Sequence, residues 1–170
     1  MSGDNPATSA RVGWGFDSHA LNEEPPLILG GVVVSESVGL AATSDGDVLA
    51  HAITDAVLGA CVLGDMGEHF PSDDASLAGA DSIFLLRQAA TMAAAAGFMV
   101  SHVDVTVLAE SARISKHRQE IRQNLADALG VPVEVVSVKA TTTDGLGFVG
   151  RGEGIAAAAV VTVAPLQPRT

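Results

Sequence analysis

The chain has 170 residues, 48% of them hydrophobic and 17% charged, with a formal net charge of −11. That length suits one domain with a real core, and the apolar content excludes extensive disorder. Without a basic stripe to neutralise phosphates, nucleic acid is excluded as a partner; a phosphorylated small molecule is not, because surface charge is screened beyond about 8 Å and a divalent ion can dominate a local site.

The single cysteine, Cys61, rules out an intramolecular disulfide and fits a reducing compartment. No apolar run approaches the ~20 residues of a membrane span. Met1 to Ala10 is small and polar with no signal-peptide core, so it reads as a loose terminus. The expectation is a cytoplasmic protein with no membrane partner, one domain over residues 11–165 and a short tail at 166–170.

Val12 to Phe16 reads as a short strand ending at Asp17 and His19, and Leu27 to Val34 as a second apolar segment bent at Gly30-Gly31. Ser44-Asp45-Gly46-Asp47 resembles a capping box opening a helix that runs to Leu63. Asp65 to Gly79 reads as a loop, and Asp81 to Ala96 as a helix stopped by Gly97. Val103, Val105 and Val107 alternate with polar residues as in a half-buried strand. Ile121, Leu125 and Leu129 mark a third helix ending at Gly130; Val133 to Val138 and Ile155 to Val163 complete the strands around a Gly- and Thr-rich loop. The order predicts an α/β (α+β) domain, a mixed sheet covered on one face by helices in a split βαβ arrangement.

Two constellations carry chemistry. Asp17 and His19 are two apart in an extended segment and point the same way. Asp47, His51 and Asp55 share one helix face. Asp17, His19 and His51 together make a set of two histidines and one carboxylate with a fourth position open, as in catalytic zinc sites, and Asp47 or Asp55 is expected to orient His51. The second constellation runs from Lys139 to Gly154, where Thr141, Thr142 and Thr143 stand between Lys139 and Arg151 among glycines. Hydroxyls, backbone N–H groups and a guanidinium can cradle phosphate, and Asp144 offers a hard oxygen for magnesium or manganese. The bland alternatives are a packed histidine and a flexible loop.

Taken together, G-x-G-x-D-x-H at Gly13 to His19, S-D-G-D-x-x-x-H-A-x-x-D-A at Ser44 to Ala56 and L-G-D-x-G at Leu63 to Gly67 are followed by F-P at Phe70-Pro71, G-A-D-S at Gly79 to Ser82, and K-A-T-T-T through G-R-G-E-G. This series resembles the 2-C-methyl-D-erythritol 2,4-cyclodiphosphate synthase family from Arg11 to Val163. The resemblance implies a homotrimer with sites between subunits, zinc on Asp17, His19 and His51, and Mg2+ or Mn2+ on the substrate diphosphate near Asp144. It implies a nucleotide-linked small molecule as substrate: a cytidine-diphosphate methylerythritol whose 2-phosphate attacks the β-phosphorus and expels CMP. By the same resemblance Thr142 and Thr43 serve the transition state, and Ser18, Ser44 and Lys139 add substrate contacts. Asp65, Met66 and Gly67, then Phe70, Pro71, Ser72, Asp73 and Asp74, and then Ala109, Glu110, Ser111, Ala112, Arg113, Ile114 and Ser115 hold the sugar-alcohol and cytidine portions. Thr141, Thr143, Phe148 and Arg151 complete that pocket.

The chain departs from the family pattern where A-H-S-D-G-D becomes Ala42-Thr43-Ser44, so a hydroxyl replaces a phosphate-contacting histidine. Losing a charge-assisted hydrogen bond of about 1.5–3 kcal/mol slows a reaction ~10–100-fold. Ser72 replaces a frequent aspartate, Asp144-Gly145 the common Glu-Lys, and Arg113 a frequent lysine. Two other readings stay open on sequence alone: a zinc-dependent phosphoesterase, and a catalytically impaired trimeric zinc-binding homologue.

Overall fold

The computed structural model describes residues 9–166; most of the expected loose terminus and of the C-terminal tail lie outside the described residues. A five-stranded mixed sheet forms the floor, with strand order β4-β1-β7-β5-β6. It comprises β1 (Arg11–Asn22), β4 (Gly39–Leu40), β5 (Phe98–Leu108), β6 (Val136–Thr141) and β7 (Gly154–Pro165), while β2 (Leu27–Leu29) and β3 (Val32–Ser35) form a separate hairpin. β7 pairs antiparallel with both β1 and β5, which makes those two parallel across it, and β5 and β6 pair parallel through a crossover. This is the split βαβ arrangement.

Three longer helices, α1 (Val48–Cys61), α3 (Ser82–Ala95) and α4 (Arg118–Leu129), cover one face. The inner residues Val103, Val105, Val107, Ala157, Ala159, Val161 and Val163 close the core against Leu49, Ile53, Val57, Leu86 and Leu125. The outer face has no helix over it among the described residues and presents Val12, Trp14, Phe16 and Val160, with Trp14 and Phe16 stacked at a centroid separation of 6.2 Å.

Several boundaries differ from the sequence expectation, each for a local reason. Gly46 at φ +74 breaks the run, so α1 begins at Val48 with Asp47 as its cap, its carboxylate accepting from the Leu49 and Ala50 amides at 3.1 Å each. Ser44 is therefore not the cap. Gly30 and Gly31, both at positive φ, form a two-residue turn that splits the segment Leu27–Val34 into a hairpin rather than a bent strand. After Pro132, residues Val133–Val135 take a 3₁₀ turn, so β6 starts only at Val136. The expected loop 65–79 contains α2 (Met66–His69) and a 3₁₀ turn at Ala75–Leu77, and the glycine-rich loop contains α5 (Gly147–Gly150).

Glycine on β1 sets the spacing between helix and sheet. A Cβ at Gly15 would lie 2.1 Å from the Ala52 carbonyl oxygen, and one at Gly13 would lie 1.9 Å from that of Ala56. The α1 backbone thus rests directly on the β1 backbone, opposite the alanines of β7. Gly15→Ala is expected to destabilise the protein by about 1–3 kcal/mol because neither backbone can yield cheaply. Gly59→Ala, on an exposed position of the same helix where nothing lies within 4 Å, is expected to gain about 0.5–1 kcal/mol. Urea midpoints measure both; a neutral Gly15→Ala would contradict the close packing.

Candidate metal centre and the surrounding pocket

Asp17 and His19 follow Gly13 and Gly15 on the inner face of β1, and His51 projects from the first turn of α1. The helix–strand contact brings the three together. Asp17 Oδ2 lies 2.9 Å from His19 Nε2 and 2.9 Å from His51 Nδ1, and the two nitrogens are 3.2 Å apart. Zinc bonds of ~2.0–2.1 Å put tetrahedral ligands about 3.3–3.4 Å from one another. The observed triangle is slightly tighter, as suits ligands hydrogen-bonded to each other, and has the shape of one face of such a tetrahedron.

Burial opposes ionisation of Asp17, but hydrogen bonds from His19 and His51 outweigh it and hold the carboxyl far below the usual carboxylate range. The hydrogen bond to Asp17 likewise raises the His19 imidazole, with burial working against it. His19 Nδ1 lies 3.1 Å from the Ala41 carbonyl. A carbonyl only accepts, so that contact keeps a proton on Nδ1 and leaves Nε2, which meets Asp17 at 2.9 Å, as the nitrogen available to a metal. One carboxylate and two imidazoles form the only such group of three or more His, Cys, Asp or Glu side chains among the described residues, and that donor set fits zinc with one position open.

The surroundings of His51 correct the sequence reading. Asp47, buried and capping α1, also accepts from the Gly31 amide at 2.7 Å and does not reach the imidazole. Asp55 accepts from the Met66 amide at 2.7 Å, seating Asp65, Met66 and Gly67 beside the site instead. His51 Nε2 faces Ser82 Oγ at 2.8 Å and Ser44 Oγ at 3.1 Å. Ser82 was not singled out from sequence as a neighbour of His51, because a serine opening a helix after Asp81 looks like ordinary capping.

A cavity of about 400 Å³ opens at the triangle, lined also by Thr43, Ser44, Met66, Gly67, Phe70, Pro71 and Ser72. Thr43 is exposed, its hydroxyl 3.5 Å from the Ser72 carbonyl. Asp65 caps α2 by accepting from Glu68 at 2.9 Å, Asp74 caps the following 3₁₀ turn through Ser76 at 2.9 Å, and Asp73 is exposed between them.

The second constellation forms elsewhere. Glu110 accepts from the Thr143 amide at 2.9 Å, the Thr143 hydroxyl at 3.2 Å and the Gly145 amide at 3.4 Å, which ties the 109–115 segment to the threonine loop. Those donors, the Thr143 amide first, lower the Glu110 carboxyl. Thr142 donates to Asp144 at 3.2 Å. Ala109, Glu110, Ala112, Arg113, Ile114, Ser115, Thr141 and Thr142 line a cavity of about 380 Å³, while Ser111 turns with Arg113 toward a neighbouring one. Ser18 and Phe148 border a third beside His19 and Glu153. Lys139 ion-pairs with Asp104 at 2.7 Å, and Arg151 grips Glu153 at 2.8 and 2.9 Å. None of residues 109–115 or 139–151 lines the cavity at the Asp17–His19–His51 triangle. Within one chain Thr141 to Thr143 and residues 109–115 stay away from the triangle, while Phe148, Glu153 and Gly154 come up beside His19.

Comparison with known proteins places this geometry. The family model described as YgbB family matches residues 10–164. A relative from Shewanella piezotolerans named 2-C-methyl-D-erythritol 2,4-cyclodiphosphate synthase is 53% identical over 151 residues, 89% of this chain and 95% of that one. One of the same name from Salinibacter ruber is 53% identical over 90% of this chain and 98% of its own. Among solved structures, the Plasmodium falciparum IspF in its CDP complex superposes with a TM-score of 0.82 at 31% identity, covering 94% of this chain and 99% of that one. The bifunctional IspDF of Campylobacter jejuni matches with a TM-score of 0.91 at 42% identity; 94% of this chain is covered, and it spans 43% of that longer chain. The chain belongs to the YgbB family, that of the 2-C-methyl-D-erythritol 2,4-cyclodiphosphate synthases.

Proposed function

We infer that the protein is a 2-C-methyl-D-erythritol 2,4-cyclodiphosphate synthase, a lyase of isoprenoid precursor biosynthesis that closes a cytidine-diphosphate methylerythritol 2-phosphate into the cyclic diphosphate and releases CMP. The observation that carries this reading is the convergence of Asp17, His19 and His51 in a chain about half identical to synthases over nearly its whole length. The 2-phosphate oxygen forms the new bond to the β-phosphorus as the bond to the CMP oxygen breaks. The chain must fold the substrate on itself and neutralise developing charge, since phosphoryl transfer asks little covalent chemistry of the protein.

Asp17, His19 and His51 would hold zinc, with Mg2+ or Mn2+ at Asp144; such ions supply Lewis-acid polarisation of the diphosphate. Thr142 donates to the transferring phosphoryl group, and Thr43 offers a neutral donor at the rim of the metal cavity. Ala109 to Ser115 shape the nucleotide side, and Asp65 to Gly67 with Phe70 to Asp74 the sugar-alcohol side. Phe148 and Arg151 border the phosphate loop. Because Thr142 and residues 109–115 do not line the metal cavity of their own chain, the active site forms between copies, as a homotrimer working in the cytoplasm. The uncovered sheet face supports association: Val12 is 68% exposed, Trp14 65%, Phe16 43% and Val160 41%. No helix among the described residues is long and apolar enough to cross a membrane.

Incubation with the linear substrate is expected to release CMP and give a cyclic diphosphate signal by phosphorus NMR, with EDTA abolishing both. Inorganic phosphate in place of the cyclic product would establish a phosphoesterase, and retained zinc without CMP a non-catalytic homologue.

Metal affinity should depend on pH with a definite sign. The raised His19 pKa means that its proton stabilises the metal-free site below that value, and this stabilisation is lost as pH rises through it. Zinc must displace that proton, whereas Asp17 stays ionised. Affinity measured against a competing chelator should therefore strengthen between about pH 5 and 8; a flat profile would contradict the assignment of His19 as ligand.

Thr43 cannot carry charge. Thr43→His is expected to raise kcat by up to ~100-fold, measured as CMP release, and an unchanged rate would show that this position stabilises no developing charge.

A further inference from the structure

Resting on the metal-centre reading above, we propose that Ser82 and Asp45 are positioning residues that fix the His51 imidazole in the one tautomer able to bind metal through Nδ1.

The argument is a count of donors and acceptors. The Asp45 carboxylate has no proton to give when ionised and receives two from Ser82: the backbone N–H at 3.0 Å on Oδ2, and the hydroxyl on Oδ1 in a short hydrogen bond. Ser82 has one hydroxyl proton, which that bond consumes. Its oxygen therefore turns a lone pair toward His51 Nε2, 2.8 Å away. Only a protonated Nε2 makes that contact favourable, so Nε2 keeps its proton, and Nδ1, 2.9 Å from Asp17 Oδ2, is the nitrogen left to give up its proton to a metal.

Ser44 by itself leaves the choice open. Its Oγ lies 3.1 Å from the same Nε2 and accepts from the Gly46 amide at 3.3 Å, so its hydroxyl can either accept from Nε2–H or donate to a bare Nε2. With Ser82 present, the second arrangement would set two lone pairs against each other at 2.8 Å. Ser82 is fully buried, and no water can relieve the conflict cheaply. The two imidazoles of the centre are thus oriented by different means: His19 by the Ala41 backbone carbonyl, His51 by a serine whose polarity a carboxylate dictates. Asp45 comes from the loop before α1 and Ser82 from the start of α3, so the ligand's proton depends on the docking of two helices.

The test uses the full chain in its metal-free and zinc-loaded forms. Long-range ¹H–¹⁵N spectra report which ring nitrogen of His51 is protonated, and zinc titration against a chelator gives the affinity. Wild type is expected to hold the proton on Nε2 in both forms. Ser82→Ala should give mixed tautomers in the metal-free protein and about 10–100-fold weaker zinc binding. Asp45→Asn keeps the volume but leaves one acceptor oxygen for two Ser82 donors, so it should shift the tautomer the same way even if Ser82→Ala folds poorly. Ser44→Ala should leave the tautomer unchanged. His51→Ala, in the same titration, separates the two ideas. If it binds zinc as wild type does, both the metal centre and this proposal fall. If it loses binding while Ser82→Ala and Asp45→Asn keep wild-type affinity and tautomer, only the positioning role falls.

Discussion

The contact on which the rest depends is backbone against backbone. Gly13 and Gly15 let α1 lie on β1 at a distance that any side chain would forbid, with carbonyl oxygens of Ala56 and Ala52 where a Cβ would otherwise sit. The register follows from it. Ala52 docks on Gly15, so the preceding residue, His51, falls beside Asp17, two residues further along the same face of the strand, with His19 two beyond. A strand period of two and a helical ligand one residue before Ala52 are then enough to bring three ligands to one point.

Electrostatics divides the same way. The triangle carries a carboxylate and two imidazoles with no lysine or arginine lining its cavity, in a chain of net charge −11. By itself such a pocket attracts cations and repels a phosphate. Arginine appears in the other constellation, where Arg113 and Arg118 line the cavity with Thr141 and Thr142. A polyphosphate bound across both would meet a cation at each end, one borrowed from solution and one covalent. The cost is that the borrowed one must compete with protons at His19.

Much of this was legible in the chain itself, and the reasons for the rest are specific. Alternating valines on β5 and the Ile121, Leu125 and Leu129 spacing on α4 placed those elements because each buries a single face. The strand members of the metal triad were readable because Asp17 and His19 stand two apart on one face of β1. The N-terminus of α1 was misjudged because Ser44 and Asp47 are both good caps, and only the positive φ of Gly46 decides between them. The partners of His51 were misjudged for a different reason. Asp47 and Asp55 are its neighbours by helical periodicity, but the start of α1 points Asp47 at backbone amides and Asp55 at the Met66 amide. Ser82, 31 residues away in sequence, comes close only through tertiary packing. Periodicity reports what shares a face, not what that face meets.

The separation of the two constellations and the bare face of the sheet are consequences of one topology. Among the described residues the long helices occupy only the side of the sheet toward which Asp17 and His19 point, so the metal centre forms at the helix–sheet seam. The threonine loop leaves the end of β6, the far edge strand in the order β4-β1-β7-β5-β6, with two strands, β7 and β5, between it and β1. The side chains of Thr141, Thr142 and Thr143 at that edge do not line the cavity at the seam under β1. In the proposed association the threonine loop of one copy would come to the β1 side of another, with Val12, Trp14 and Phe16 offering apolar surface for the contact. An apolar outer face and an incomplete pocket, each unexplained in an isolated chain, then have the same cause.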